Sequence, residues 1–211
     1  MCPFLRRSDF PLYLYMYKVG ITGGIGSGKS TLCELLTAFG ASLYDSDSRA
    51  KSLMAEDKAL HDALCGEFGE ECYTEQGLNR PFLASRVFGD SEALQRLNAI
   101  VHPAVRADFR RWAAMQRSEY VILESAILFE SGFDSEVDTT VAVLSPMEER
   151  VRRTMERDGV SREDVLRRIS HQLSDDELHR LAARTIVNLR RDYLESDAEQ
   201  LHKILLYEAR R

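Results

Sequence analysis

Apolar positions along this chain fall into short β-type runs that alternate with helical stripes. Val19-Gly-Ile-Thr22 is a brief apolar run. Leu32, Leu35, Leu36 and Phe39 follow at i, i+3, i+4 and i+7, one face of a helix that Gly40 is placed to close. Ser42-Leu-Tyr44 predicts a second short strand ending at Asp45. Residues 47–116 read as mostly helical, broken at Gly66, Gly69, Gly77, Pro81, Gly89 and Pro103. Tyr120-Val-Ile-Leu123 and Thr139–Leu144 have the composition of buried strands. After Pro146 the pattern is helical to about Leu181, β-type at Thr185-Ile-Val187, and amphipathic from about Asp192 to Tyr207. This alternation predicts an α/β fold, a parallel sheet flanked by helices. The helical stretch between the second and third strands has no place inside such a sheet and reads as a substrate-binding insertion.

The turn between the first strand and the first helix carries the chemistry. Gly23 to Ser30 read Gly-Gly-Ile-Gly-Ser-Gly-Lys-Ser, a complete G-x-x-x-x-G-K-S phosphate loop. Strand, glycine-rich turn and helix start aim successive backbone N–H groups at one point, where the helix dipole also favours an anion. The cofactor set is therefore Gly24, Ile25, Gly26, Ser27, Gly28, Lys29, Ser30 and Thr31, with a nucleoside triphosphate as ligand. Lys29 is expected to reach the β- and γ-phosphates and the Ser30 hydroxyl to ligate Mg²⁺. No Asn-Lys-x-Asp segment is present, which argues against a GTPase. A small-molecule kinase further needs a carboxylate at the acceptor hydroxyl, arginines over the phosphates and an acceptor pocket, and each has a candidate.

Asp45 and Asp47 stand at the end of the second strand, the edge that faces the ligand crevice of an open α/β sheet. One could accept the acceptor's proton while the other holds a water of the Mg²⁺ shell. Equally, Asp45 could be a turn residue and Asp47 the N-cap of a helix from Ser48. From Arg150 to Arg168, seven arginines face four carboxylates, in a chain whose net charge is −6. Arg150, Arg153 and Arg157 share a helical face, Gly159 stops that helix, and Ser161-Arg-Glu-Asp164 resembles a capping box starting the next. A hinged lid is one reading, with two of its arginines on nucleotide and the others at the surface; a solvated helix face is the other. After the third strand, Glu124 is placed to serve the Mg²⁺ shell through water, and Ile127, Leu128 and Phe129 either line a pocket or belong to the core. His61, His171, His179 and His202 read as helix positions without metal spacing.

Composition narrows the class of partner. The negative charge argues against nucleic acid and anionic membrane as partners, and no stretch reaches the length of a membrane span. The four cysteines form no C-x-x-C pair, which fits free thiols in a reducing, cytoplasmic setting. Residues 1–15 are broken by Pro3 and Pro11, lack a sustained apolar core for a signal peptide, and read as an extension outside the fold. A monomer or weak homo-oligomer is expected.

Taken together these segments resemble the dephospho-coenzyme A kinase family. The resemblance runs through Ile21 to Thr31, Asp45-Ser-Asp47, Leu78-Asn-Arg80, Leu97 to Pro103, Ile127-Leu-Phe-Glu130, Arg153 to Asp158, Gln172 and Asn188. It implies transfer of the ATP γ-phosphoryl group to the ribose 3′-hydroxyl of dephospho-CoA, with Mg²⁺. It also implies a nucleotide core (16–46, 118–145 and 184–211), a helical CoA-binding insertion (47–117) and a lid (146–183). By this resemblance Asp47 is the preferred base and Asp45 the runner-up, with Lys29 and Arg153 beside them in catalysis. Arg157 and Asn188 contact nucleotide, and Asp45, Asp47, Arg80, His102, Leu128, Phe129 and Glu130 contact substrate. His102 precedes Pro103 at an expected helix start, where turning the chain is an alternative role. This chain departs from the family at Ala126, where proline is usual, at Arg150, where glutamine is frequent, and at Ala183 and Leu189 near the last strand. Another small-molecule phosphate-loop kinase, or a nucleotide-binding regulator, is the competing reading.

Overall fold

The first of the described strands lies at the centre of the sheet. In this computed structural model, which describes residues 16–211, β1 (Tyr17–Thr22) is flanked by two strands more than a hundred residues distant in sequence. With β2 (Ser42–Asp45), β5 (Tyr120–Glu124), β6 (Thr139–Leu144) and β7 (Arg184–Val187), the sheet order is β2-β5-β1-β6-β7. The pairings of β1 with β5 and β6, and of β6 with β7, are parallel; Ile21 lies opposite Glu124, Thr22 opposite Ala142 and Leu144 opposite Val187. The chain leaves β1 toward one edge and later returns to the other. The C-terminal end of β1 is thus the topological switch point, where open α/β sheets hold their ligands.

By contacts the chain divides into two compact units. The first contains residues up to Tyr44 together with Ala113–Arg211. In it α1 (Lys29–Ala38) and α9 (Arg191–Ala209) bury Leu32 and Leu36, and Leu194, Ala198, Leu201 and Leu205, in one cluster with Val19, Ile21, Ile122, Val141 and Val143 of the sheet. Each such side chain contributes about 1.5–3 kcal/mol on burial. The remaining helices are α6 (Met147–Asp158), α7 (Arg162–Ile169) and α8 (Asp175–Leu181). No helix among the described residues is long and apolar enough to cross a membrane.

The second unit, Asp45–Trp112, holds α2 (Ser46–Glu56), α3 (Lys58–Phe68), α4 (Arg80–Val87), nearly all of α5 (Ser91–Ala114), and a hairpin of β3 (Tyr73–Thr74) and β4 (Gly77–Leu78). The hairpin is absent from the sequence reading, its strands being too short to show a period. Two expected breaks are not breaks. Gly66 lies inside α3, and Pro103 lies inside α5. Proline in a helix interior costs about 3 kcal/mol. Val101, Val105, Phe109 and Ala113, four residues apart and buried, more than offset it. His102 is consequently a mid-helix residue, not one at a helix start. His171 also falls outside any helix, in the turn after α7. Cys65 and Cys72, seven residues apart, share this unit's core as free thiols, and burial pushes both upward in pKa. Cys2 and the extension 1–15 lie outside the described residues.

Candidate active site

The phosphate loop begins where β1 ends. Ser27 N–H donates to the Gly24 carbonyl at 3.1 Å, and Gly28, at φ 96°, turns the chain into α1. No side chain caps α1, so its first N–H groups remain as donors for an anion. A β-carbon on Gly28 would meet the Asn188 amide nitrogen at 2.0 Å, so backbone twist and neighbour both require glycine there.

One carboxylate collects both reactive side chains of the loop. Ser30 Oγ donates to Glu124 Oε1 at 2.7 Å, and Lys29 Nζ lies 3.5 Å from the same oxygen. Glu124 ends β5 beside β1, which places it at the switch point by sheet order alone. The pair is mostly buried, with side-chain exposures of 14% for Lys29 and 11% for Glu124. A hydroxyl and a carboxylate 2.7 Å apart suit Mg²⁺, which takes hard oxygen donors and few protein ligands.

Three side chains from the far end of the chain hold the loop from outside. Ile25 N–H donates to Gln172 Oε1 at 2.9 Å, and the Ile25 carbonyl accepts from Arg150 Nε at 3.1 Å. The Asn188 amide donates to the Ser27 carbonyl at 2.8 Å. Asn188 is itself fixed, its N–H on the Leu144 carbonyl and its own carbonyl accepting from Ser145 Oγ. Asn188, expected at the nucleotide, is in these contacts a strut for the loop's backbone.

The arginines along one face of α6 differ widely in burial. Arg150 is 3% exposed and pairs with Asp175 at 2.8 Å. Burial lifts the Asp175 carboxyl above its ordinary range, with the Arg150 guanidinium opposing. Arg153 is 26% exposed, donates to Ser145 Oγ at 3.3 Å, and lies 3.6 Å from Glu149. Arg157 is 62% exposed and grips Asp158, which Arg168 also holds. Those two cations keep the Asp158 carboxyl below the usual range. Seven residues of helix span about 10 Å, which carries Arg157 past the loop that buries Arg150. The expectation that arginines off the nucleotide are at the surface therefore fails for Arg150. Gly159, at φ 67°, stops α6 as expected. Ser161 caps α7 through Asp164 N–H, while the reciprocal capping box is at Ser174 and Glu177, before α8.

After β5, Leu128 is fully buried against Gly20, the core alternative. Phe129 is half-buried, and the exposed Glu130 accepts from Leu173 N–H at 3.2 Å. In the second unit Asp45, not Asp47, is the cap of α2. Its Oδ1 accepts from the N–H groups of Asp47 and Ser48, and its Oδ2 from the Ser48 hydroxyl. The helix starts two residues earlier than expected, and Asp47 is exposed in its first turn. Arg80 opens α4 behind the Asn79 cap. His102 is half-buried, its pKa lowered by burial and then by Arg106.

Sequence reasoning gave no role to Gln172 and none at the loop to Arg150 or Asp175. The available signal was Val151 and Thr154, uncharged residues three apart in a charged stretch, which mark a buried face next to Arg150.

A family model described as dephospho-CoA kinase matches residues 17–192. A dephospho-CoA kinase of Bacteroides fragilis strain YCH46 is 42% identical over 172 residues, 81% of this chain and 84% of that protein. One from Porphyromonas gingivalis is 41% identical, covering 82% and 86%. Among solved structures, TT1252 from Thermus thermophilus aligns at 37% identity with a TM-score of 0.79, over 92% of this chain and 98% of that one. With the phosphate loop at the switch point and a match across most of its length, this chain belongs to the dephospho-CoA kinase family.

Proposed function

We propose that this chain transfers the γ-phosphoryl group of ATP to the ribose 3′-hydroxyl of dephospho-CoA, giving coenzyme A and ADP. The observation that carries the reading is the convergence of Lys29 and Ser30 on Glu124 at the switch point, in a member of that family. The loop's N–H groups and Lys29 bind the phosphates, and Lys29 follows the γ-phosphoryl group as charge spreads over it. Ser30 would hold Mg²⁺ directly and Glu124 would orient its water; the ion, when bound, would neutralise charge on the phosphates. Asp47 takes the proton of the 3′-hydroxyl. Asp45 is the weaker candidate because both its oxygens are engaged in capping α2. Arg153 meets phosphate in the transition state, and Arg157 joins it after leaving Asp158. Arg80, His102, Phe129 and Glu130 are the proposed acceptor-side residues, and Leu128 supports them from the core.

The test is ADP release measured over a panel of acceptors that includes dephospho-CoA, a nucleoside and shikimate, with Asp47→Asn and Asp45→Asn beside the parent. Release that depends on dephospho-CoA, and a loss of at least about 10²-fold in Asp47→Asn with ATP binding retained, is expected. Turnover on another acceptor alone, or none on any, would favour the different kinase or the regulator. Near-parental turnover in Asp47→Asn with loss in Asp45→Asn would move the base to Asp45.

A further inference from the structure

Arg150 is a buried charged side chain to which the proposed reaction gives no role. Its guanidinium is enclosed at 3% exposure between two elements of the first unit. Nε donates to the Ile25 carbonyl at the apex of the phosphate loop, and Nη1 donates to Asp175 at the start of α8. Nη2 is buried with no hydrogen-bond partner. An unmet donor of a charged group is costly. Packing alone does not account for choosing it over a neutral side chain.

Gly24 supplies the second observation. Its backbone is not in the left-handed region, so its conformation is open to an alanine. An added β-carbon would stand 1.9 Å from Arg150 Nη2 and 2.4 Å from Cζ. The end of an arginine is ordinarily free to move aside. This one is held by two hydrogen bonds in a buried slot. Gly26 presses on the same residue, since its β-carbon would lie 2.3 Å from the Arg150 carbonyl. Arg150 is in turn steadied by Thr154, whose hydroxyl donates to that carbonyl at 2.8 Å. With Gln172 on the Ile25 N–H, both backbone groups of the loop's apex residue are held by side chains of residues 150–172.

We propose that Arg150 is a positioning residue for nucleotide binding: clamped by Asp175, its guanidinium holds the apex of the phosphate loop in the shape that receives phosphate, and it is the reason position 24 is glycine. The arginine acts through the Ile25 carbonyl. The inference rests on the nucleotide half of the proposed function only.

The test is a mutant cycle read by equilibrium ATP binding in the absence of acceptor, so that a wrong acceptor leaves it intact. Arg150→Ala is expected to weaken ATP binding about tenfold or more and to raise the KM for ATP with the acceptor KM unchanged. Asp175→Asn, at a partly exposed position that tolerates the change, should weaken ATP binding severalfold while the melting temperature stays near that of the parent. Gly24→Ala should be as harmful as Arg150→Ala in the parent, yet add less than twofold in the Arg150→Ala background. ATP binding within twofold of the parent in a folded Arg150→Ala, or equal damage from Gly24→Ala with and without Arg150, would overturn the proposal. Should Arg150→Ala fail to fold, parental ATP binding in Asp175→Asn or in Gly24→Ala would overturn it equally.

Discussion

Glu124→Gln isolates the charge at the centre of the site, because glutamine keeps the shape and can still accept from Ser30. The lost term is the attraction to Lys29 Nζ at 3.5 Å. At an effective dielectric of about 20 that attraction is about 5 kcal/mol before desolvation is subtracted. Both groups are mostly buried, so desolvation takes back much of it, and a net loss of about 2 kcal/mol is expected. For a chain of this size that is a fall of about 4–8 °C in the melting temperature of the nucleotide-free protein. With saturating ATP the phosphates become the partner of Lys29, so the gap between variant and parent should narrow. Turnover should behave differently, because the carboxylate is proposed then to orient the Mg²⁺ shell. The half-saturating Mg²⁺ concentration should rise about tenfold or more, and kcat should fall about 10²–10³-fold. Paired melts with and without ATP, and kcat measured across a Mg²⁺ titration, read the two effects separately. If Mg²⁺ response and kcat stay within threefold of the parent while the melt falls, Glu124 is a counter-ion for Lys29 and nothing more.

Arg153→Ala should lower kcat by about 10²-fold or more with the dephospho-CoA KM within threefold, if as proposed it meets charge that is largest in the transition state. Arg157→Ala should do the same, and a change confined to the acceptor KM would assign either arginine to the acceptor site instead. Stability should decline as pH falls below about 6.5, because His102 and His202 are both lowered by burial and so bind fewer protons folded than unfolded. His202→Gln, which can keep the 2.9 Å contact to the Tyr120 hydroxyl, should flatten melting temperature against pH between about 7.5 and 5.5; an unchanged slope would remove His202 from the effect.

The parts of this protein legible in sequence are those written in contiguous residues. Strand, loop and first helix occupy one stretch, and hydrophobic period and glycine spacing mark all three. Glu124 is legible because it ends an obvious strand. The struts of the loop are not, since Arg150, Gln172 and Asn188 stand 125, 147 and 161 residues from their partners and no local pattern links them. Pro103 and Gly66 mislead for the opposite reason: local propensity is plain there, and tertiary burial overrides it. The cap of α2 shifts from Asp47 to Asp45 because one residue can end a strand and cap the following helix. The Ser174-Asp-Asp-Glu177 box was legible by its spacing alone and passes unnoticed among the charges around it.

The central place of β1 sets an order of events during synthesis. Its residues leave the ribosome well before those of either sheet neighbour, Tyr120–Glu124 and Thr139–Leu144. The phosphate loop that follows β1 waits longer still, for Gln172 and then Asn188. Domains are made from the N-terminus at a rate that leaves such a gap open for seconds. A nascent chain halted before Asn188 therefore carries every residue of the phosphate motif and lacks a strut of its shape. The full set of contacts that shapes the loop is therefore completed only once Asn188 has been made.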